Sequence, residues 1–201
     1  MSTTVVQPIR RSGVLADALP ISRSRVRDVT LVAGFALLTA LAAQVRIHLG
    51  WTPVPITGQT FSVLLAGTVL GARLGALSQL TYVAAGLVLP FYAGGTHGWS
   101  VVTGASGGYL VGMVLAAFVV GKLAERHEDR DLLTSLPAMF FGSVVIYAVG
   151  LPWLAAVADL SMQDAIAKGL APFVIGDALK AGIAGALVPA TWKAVERSKA
   201  A

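Results

Sequence analysis

Two charged residues three positions apart, Asp177 and Lys180, interrupt an otherwise apolar, small-residue stretch, APFVIGDALKAGIAGALVPA (171–190). The stretch is long enough to cross a bilayer as a helix. A charged side chain near a membrane centre costs roughly 3 kcal/mol, so such residues usually serve a function. Because residues three apart share one side of a helix, the pair predicts a polar ligand held between membrane helices. The alternatives are a self-satisfied ion pair and a lysine that snorkels to water.

The composition of the chain is that of an integral membrane protein. Of its 201 residues, 56% are hydrophobic and 12% are charged, whereas soluble domains carry about 25% charged residues. The net charge of +5 does not indicate nucleic-acid binding, because the basic residues flank apolar blocks as topology signals do. The sequence contains no cysteine, which excludes disulfides, thiolate metal sites and cysteine nucleophiles.

The apolar blocks predict an all-α integral membrane fold, a six-transmembrane-helix bundle. Six segments can be drawn, at about residues 29–49, 60–70, 74–89, 107–123, 136–158 and 171–195. The second and third are short, so each is expected to tilt or to end inside the protein. Arg73, between Gly71 and Gly75, predicts a tight turn joining them. We assign residues 1–28 to an arginine-rich leader, 29–197 to one membrane domain and 198–201 to a tail.

The basic residues also predict orientation. With the amino terminus inside, Arg46 and Lys168 alone fall in outer loops, Lys180 lies within a span, and the rest of the 15 lysines and arginines face inward. Basic loops stay on the cytoplasmic side, so both termini are predicted to be cytoplasmic. The outer loops are then residues 50–60, 91–108 and 159–172, the last of which could form a short amphipathic helix. Asp177 would lie about 9 Å into the sixth helix, so these loops and the charged pair could enclose an outward-facing pocket.

Small residues recur four positions apart, a spacing that lets helices approach closely. They are Gly67, Gly71 and Gly75, then Gly104, Gly108 and Gly112, and finally Ala36 and Ala40. The glycines are interpreted as packing positions within the bundle. The two alanines could instead face a separate membrane partner.

No enzyme signature is present in the sequence. The GASG segment (104–107) is similar to the serine motif of rhomboid proteases, but that chemistry needs a histidine on another helix. His48, His97 and His127 lie in or near loops, and none is on the sixth segment. There is no G-x-x-x-x-G-K-[ST] phosphate loop, and carboxylates and histidines do not cluster as metal ligands. We therefore predict no catalytic residue, metal or cofactor, and no enzymatic activity.

Three motifs together closely resemble one family. The run TPVPITGQTFSVLLAGTVLGARLGALSQLTYVAAGLVLPFYAGG (52–95), then SGGYLVGM (106–113) and IGDALKA (175–181), resemble BioY proteins. These are the biotin-specific S components, the substrate-binding membrane subunits, of energy-coupling factor (ECF) vitamin transporters. The resemblance implies capture of biotin from outside a bacterial cell membrane. It also implies two kinds of partner, an EcfT-type transmembrane coupling subunit and a pair of cytoplasmic ATPases.

The resemblance further implies roles for individual residues. Asp177 and Lys180 correspond to ligand contacts, and their carboxylate and ammonium suit the N–H groups and the carbonyl of biotin's cyclic urea. The other candidate contacts are Gln79 and Tyr82 on the third segment and Thr96, His97 and Ser100 in the outer loop, where the ligand carboxylate could bind. Gln79 and Tyr82 could equally be contacts between helices. Ala36 and Ala40 match an A-x-x-x-A pattern that contacts the coupling protein. The outer loop departs from the common family pattern, with GASGGYL where GPTGGYL is frequent.

Three other functions remain open at this point. One is an S component for another small vitamin or metabolite. An autonomous secondary transporter would usually show two related halves, and residues 29–89 and 107–195 show no convincing repeat. A membrane enzyme would require a nucleophile and base that the sequence does not supply.

Overall fold

The fold is an all-helical bundle. The computed structural model describes residues 13–18, 22, 24–127 and 129–200, with side chains to residue 198. Its α-helices are α1 Arg25–Gln44, α2 Gln59–Gly86, α3 Trp99–Val102, α4 Gly107–Glu125, α5 Leu132–Val157, α6 Met162–Gly169 and α7 Val174–Ala200. Two-residue strands, β1 Arg46–Ile47 and β2 Ile56–Thr57, and 3-10 turns at Leu15–Ala18 and Ala93–Gly95 complete the described elements. Within the described part of the chain, α1, α2, α4, α5 and α7 are long and apolar enough to cross a membrane.

The predicted leader is only partly described. Residues 1–12, 19–21 and 23, which include Arg10, Arg11 and Arg23, lie outside the described residues, as does Ala201 of the predicted tail. The described part packs on the bundle, since Leu15 and Ala16 are buried. The Arg27 guanidinium, also buried, donates a hydrogen bond to the Ala16 carbonyl oxygen.

Helix α2 is folded back on itself at Gly71. The backbone there has φ 81° and ψ 176°, a conformation essentially restricted to glycine. In a straight helix Gln59 and Tyr82 would be about 35 Å apart, yet Gln59 Nε2 donates to Tyr82 Oη at 2.8 Å. The prediction of a tight turn here is confirmed, and α2 consists of two arms, residues 59–70 and 72–86.

Glycines allow the helices of the bundle to touch backbone to backbone. A Cβ added at Gly75 would lie 3.0 Å from Gly67 Cα, where the two arms of α2 meet. One added at Gly67 would lie 2.6 Å from Ala117 O on α4, and one at Gly112 would lie 2.8 Å from Ile146 O on α5. Helix α4 therefore packs between α2 and α5, and the interpretation of these glycines as packing positions is confirmed.

The segments between the long helices contain two short strands and a short helix. Helix α1 ends at Gln44, earlier than predicted, because the chain turns into a hairpin in which Arg46 pairs with Thr57. The sequence analysis did not predict these strands. The short helix expected in the third outer loop is present as α6, and Ser161 caps it by accepting a hydrogen bond from Asp164 N at 3.1 Å.

One end of the bundle is held by a buried carboxyl group. Asp129, between α4 and α5, is 1% exposed and accepts a hydrogen bond from Trp192 Nε1 at 2.7 Å. Burial raises the pKa of the Asp129 carboxyl above its ordinary value. The Arg130 guanidinium lies 3.3 Å from the centre of the Trp192 ring. Glu125 closes the same end, since its Oε1 accepts from Ala72 N at 2.9 Å beside the turn of α2.

Candidate functional site

A cavity of about 270 Å³ lies at the other end of the bundle, away from the Gly71 turn. Its wall includes residues near both ends of α2 and residues of β2, α3, α4, α5 and α7. Its size is close to the lower limit of about 300 Å³ for small-molecule sites. Apolar and aromatic side chains form most of the lining, with a few polar groups among them. This is the composition expected of a site for one small, largely apolar ligand.

The predicted charged pair lies beside this cavity. Lys180 lines it, and its Nζ donates to Asp177 Oδ1 at 2.7 Å and to Thr57 O at 2.7 Å. Asp177 is 6% exposed, so its oxygens must find hydrogen-bond partners within the protein. The ammonium also ties α7 to the hairpin that precedes α2. The ion pair considered in the sequence analysis is therefore present, and it sits at the wall of the cavity.

Tyr147 on α5 binds the carboxylate of the charged pair. Its hydroxyl donates a hydrogen bond to Asp177 Oδ2, and its ring lines the cavity. The ring meets that of Tyr109 edge to face, with centroids 6.1 Å apart. The sequence analysis did not select either tyrosine. All four tyrosines of the chain line this cavity. A phenol in an apolar segment needs a hydrogen-bond partner, so the tyrosines could have indicated the site from the sequence.

Several other polar groups of the wall form hydrogen bonds with the protein's own backbone and side chains. Thr57 Oγ1 donates to Gln59 Oε1 at 2.7 Å. Tyr109 Oη donates to Gly169 O at 2.9 Å, and Tyr92 Oη donates to Val83 O at 2.7 Å. Burial raises the pKa of the Tyr92 phenol, so it remains a donor at neutral pH. These bonds fix the orientation of the tyrosine rings around the cavity.

The structure places the predicted ligand contacts at different distances from the cavity. Tyr82, Thr96 and Ser100 line it together with Lys180. Gln79, His97 and Asp177 are not among the described residues that line the cavity. Asp177 adjoins the wall through its two partners, and His97 is exposed in the loop.

Gln79 lies in a separate buried cluster between helices. It is 0% exposed, its Oε1 accepts from Thr39 Oγ1 at 3.3 Å, and its Nε2 donates to Ser78 Oγ at 3.1 Å. Ser62 Oγ donates to the same Thr39 hydroxyl at 3.1 Å. These bonds join α1 to both arms of α2, as expected for a residue that connects helices.

The two alanines assigned to a partner interface are buried within the chain itself. Ala36 is 3% exposed and Ala40 is 6% exposed, and both belong to the core that surrounds Tyr82. The exposed side of α1 instead carries Leu37 and Leu41. A buried residue cannot touch a partner unless α1 moves, so the structure favours a packing role for these alanines.

Comparison with known proteins identifies the family. The BioY family model matches residues 15–197, a range that includes part of the predicted leader. A biotin transporter BioY of Rhizobium etli is 41% identical over 170 residues, covering 80% of this chain and 90% of the relative. The biotin transporter BioY of Thermotoga maritima is 39% identical over 172 residues, covering 85% and 98%. These relatives are transporters, which agrees with the prediction that the chain is not an enzyme.

A solved structure resembles the whole bundle. The S-component for biotin from an ECF-type ABC transporter superposes with a TM-score of 0.78 at 25% identity, covering 86% of this chain and 95% of that chain. The resemblance inferred from the three sequence motifs is thereby confirmed. With its long apolar helices, this chain is a multi-pass membrane protein, and it belongs to the BioY family.

Proposed function

We propose that this chain is a biotin-binding membrane subunit that captures biotin from outside the cell for an ECF-type importer. The observation that supports this most directly is the cavity whose wall holds Lys180, with Asp177 and Tyr147 beside it. Relatives described as biotin transporters and the fold of a biotin S-component support the choice of ligand.

The charged pair has bonding capacity left for a cyclic urea. An ammonium has three N–H donors, and Lys180 uses two of them, on Asp177 and Thr57. The third is free to donate to the ureido carbonyl. An ionised carboxylate accepts about four hydrogen bonds, and Asp177 accepts from Lys180 and Tyr147. Rotation of the Tyr147 hydroxyl would open Asp177 to a ureido N–H, so the pair can hold the ligand without separating.

The rest of the ligand is apolar apart from its carboxylate. Phe173, Met113 and Ile146 supply apolar surface in the cavity for the fused rings and the valerate chain. Thr96 and Ser100 are the predicted hydroxyl donors for the carboxylate, and both line the cavity. His97 would need a movement of its loop to join them. Burial of the ligand's apolar rings and valerate methylenes against these side chains stabilises the complex through the hydrophobic effect.

We also propose that the bundle has six spans, with α2 contributing two. Residues 59–70 extend about 18 Å as a helix, less than the roughly 30 Å of a hydrocarbon core. Most side chains of this arm are buried by other helices, so its ends need not meet lipid. In this topology the leader (1–28), the tail (198–201) and both termini are cytoplasmic, residues 29–197 form the membrane domain, and the cavity faces outward from a bacterial cell membrane.

Transport in this proposal depends on other proteins. The chain has the fold of a substrate-binding subunit, so an EcfT-type transmembrane subunit and a pair of cytoplasmic ATPases would supply the energy. The role proposed for Ala36 and Ala40 at that interface requires α1 to rearrange. The two alternative functions are an S component for another vitamin and an autonomous secondary biotin transporter.

Two experiments separate these functions. Labelled biotin should bind the purified chain stoichiometrically in detergent, and an excess of unrelated vitamins should not displace it; displacement by another vitamin would identify a different ligand. Uptake of labelled biotin should require co-expression of the coupling subunit and the ATPases. Equal uptake by cells that express the chain in a background lacking those subunits would establish an autonomous carrier.

A further inference from the structure

One side of the cavity is formed by a turn that contains two glycines, residues 92–96, called the glycine turn below. Tyr92, Ala93 and Thr96 line the cavity, and Tyr92 N donates to Thr96 O at 3.1 Å across the turn. We propose that Gln44, the last residue of α1, is a positioning residue that holds the glycine turn where it binds the carboxylate of the ligand. The proposal rests on the proposed function, because it takes biotin as the ligand.

The backbone of the glycine turn needs anchors to keep one shape. Gly94 has φ 73° and Gly95 has φ 71°, left-handed values that glycine adopts without steric cost. Glycine also loses more conformational freedom than any other residue when it is fixed. Two successive glycines therefore make the turn costly to order, and contacts from outside the turn must offset that cost.

The side-chain amide of Gln44 supplies such contacts to both halves of the turn. Its Oε1 accepts a hydrogen bond from Gly95 N at 3.0 Å. Its Nε2 donates to Tyr92 O at 3.2 Å, and Phe91 O lies 3.4 Å from the same nitrogen. Nε2 also donates to Ala40 O at 3.0 Å, one turn back along α1. The flipped amide would place Oε1 against these carbonyl oxygens, so the surroundings determine its orientation.

The anchors of the glycine turn on α2 hold its ends. The Tyr92 hydroxyl is bound to α2, and Gly98 N donates to Gly86 O at 2.9 Å just beyond the turn. Among the described residues outside the turn, Gln44 is the one that forms a hydrogen bond with Gly95. Without the Gln44 amide, both ends would stay in place and the interior of the turn would be free to shift against the cavity.

The hydroxyl that would meet the ligand carboxylate depends on the shape of this turn. Thr96 Oγ1 donates to Ala93 O at 3.1 Å, and rotation of the hydroxyl would direct the same donor to a carboxylate oxygen. Gln44 is not among the described residues that line the cavity, so it acts through the turn. Hydrogen bonds weaken steeply when their angle is distorted. A displaced turn would therefore weaken the bond to the carboxylate and leave the ureido contacts of Asp177 and Lys180 unchanged.

Hydrogen–deuterium exchange of the unliganded chain tests whether Gln44 holds the turn. Gln44→Met keeps an unbranched side chain and removes both donors and the acceptor. Gln44 is exposed, so we expect a modest acceleration, about three- to fivefold, in the peptide that contains residues 91–98. Gln163→Met makes the same change at an exposed position of α6 and should not alter that exchange. Unaltered exchange in Gln44→Met, or equal acceleration by both variants, would overturn the proposal.

Ligand selectivity separates positioning from a general structural role. The unaltered chain and both variants would be titrated with biotin, biotin methyl ester and biotin methylated on a ureido nitrogen. The unaltered chain and Gln163→Met should prefer biotin to the ester by about tenfold or more, because the ester lacks the charged acceptor. Gln44→Met should reduce this preference to about twofold, while its preference for the unmethylated ureido nitrogen remains that of the unaltered chain.

The pattern of losses shows which claim fails. An equal loss of affinity for all three ligands in Gln44→Met would indicate a general structural role and contradict the proposal. Equal affinity of the unaltered chain for biotin and its ester would also contradict it, since no carboxylate contact would then exist. Loss of ureido discrimination in the unaltered chain, with the preference for the acid intact, would instead contradict the role of the charged pair and leave Gln44 as a positioning residue.

Discussion

Replacement of Lys180 by methionine should both destabilise the protein and weaken biotin binding. The substitution keeps the four-atom stem of the side chain and removes the ammonium. It leaves Asp177, 6% exposed, with Tyr147 as its remaining side-chain partner among the contacts described above. Removal of one partner from a buried ion pair costs about 3–5 kcal/mol. The Lys180 side chain is 17% exposed, so water screens part of the interaction and we expect the lower end, about 3 kcal/mol.

This loss can be measured as a shift in unfolding temperature. At about 2–4 °C per kcal/mol for a chain of this size, Lys180→Met should lower the midpoint by about 6–12 °C in detergent. The double variant Asp177→Asn/Lys180→Met removes the unpaired charge and should recover most of that shift. Lys193→Met, at an exposed position of the same helix, should leave the midpoint unchanged.

Binding should respond differently from stability. A hydrogen bond to a charged group contributes about 1.5–3 kcal/mol, so Lys180→Met should weaken biotin binding by at least about tenfold. The double variant should recover stability without recovering affinity. Unfolding of Lys180→Met at the temperature of the unaltered protein would refute the account of the pair as a buried, mutually dependent unit. Unchanged affinity in a folded Lys180→Met protein would refute its role in the site.

Three further substitutions test individual contacts. Tyr147→Phe removes a hydroxyl bound to the buried carboxylate and should reduce biotin affinity about tenfold or more in an equilibrium titration, whereas unchanged affinity would show that the hydroxyl is dispensable. Gly71→Ala places a side chain where φ is 81° and should cost about 1–3 kcal/mol; Gly182→Ala, which meets nothing within 4 Å, should not lower the unfolding temperature, and equal effects of the two would contradict the turn. Trp192→Phe removes the N–H that binds Asp129 and should cost about 1–3 kcal/mol in thermal unfolding with biotin affinity unchanged; a loss of affinity would indicate that the two ends of the bundle are coupled.

The features predicted correctly are those that a local pattern determines. The spacing of Asp177 and Lys180 places both on one side of a helix, and their bond follows from that spacing. The turn at Gly71 follows from a glycine and an arginine between two short apolar runs. The apolar segments fall on the five long apolar helices, the second and third of them both within α2, because length and hydropathy decide whether a segment can span a membrane. The count of six spans stays a prediction.

The features that were missed depend on packing between distant segments. Tyr147 and Asp177 are 30 residues apart, and no pattern within α5 shows which helix its hydroxyl meets. Paired strands of two residues are too short for an alternating pattern. The side of α1 that faces the bundle was also uncertain, because in a membrane helix both the lipid-facing and the protein-facing sides are apolar. For that reason the spacing of Ala36 and Ala40 indicated a contact without distinguishing an internal one from a partner.

The central claim is that the charged pair recognises the ureido ring of biotin. The most direct test is an equilibrium titration of the purified, unaltered chain with four ligands: biotin, biotin methylated on a ureido nitrogen, and the methyl ester of each. The account predicts that N-methylation, which removes a donor and leaves Asp177 without its ligand partner, weakens binding by about tenfold or more. The esters are altered at the far end of the ligand. N-methylation should therefore weaken the binding of the ester by about the same factor as it weakens the binding of biotin. Equal affinity for biotin and N-methylated biotin would contradict the claim.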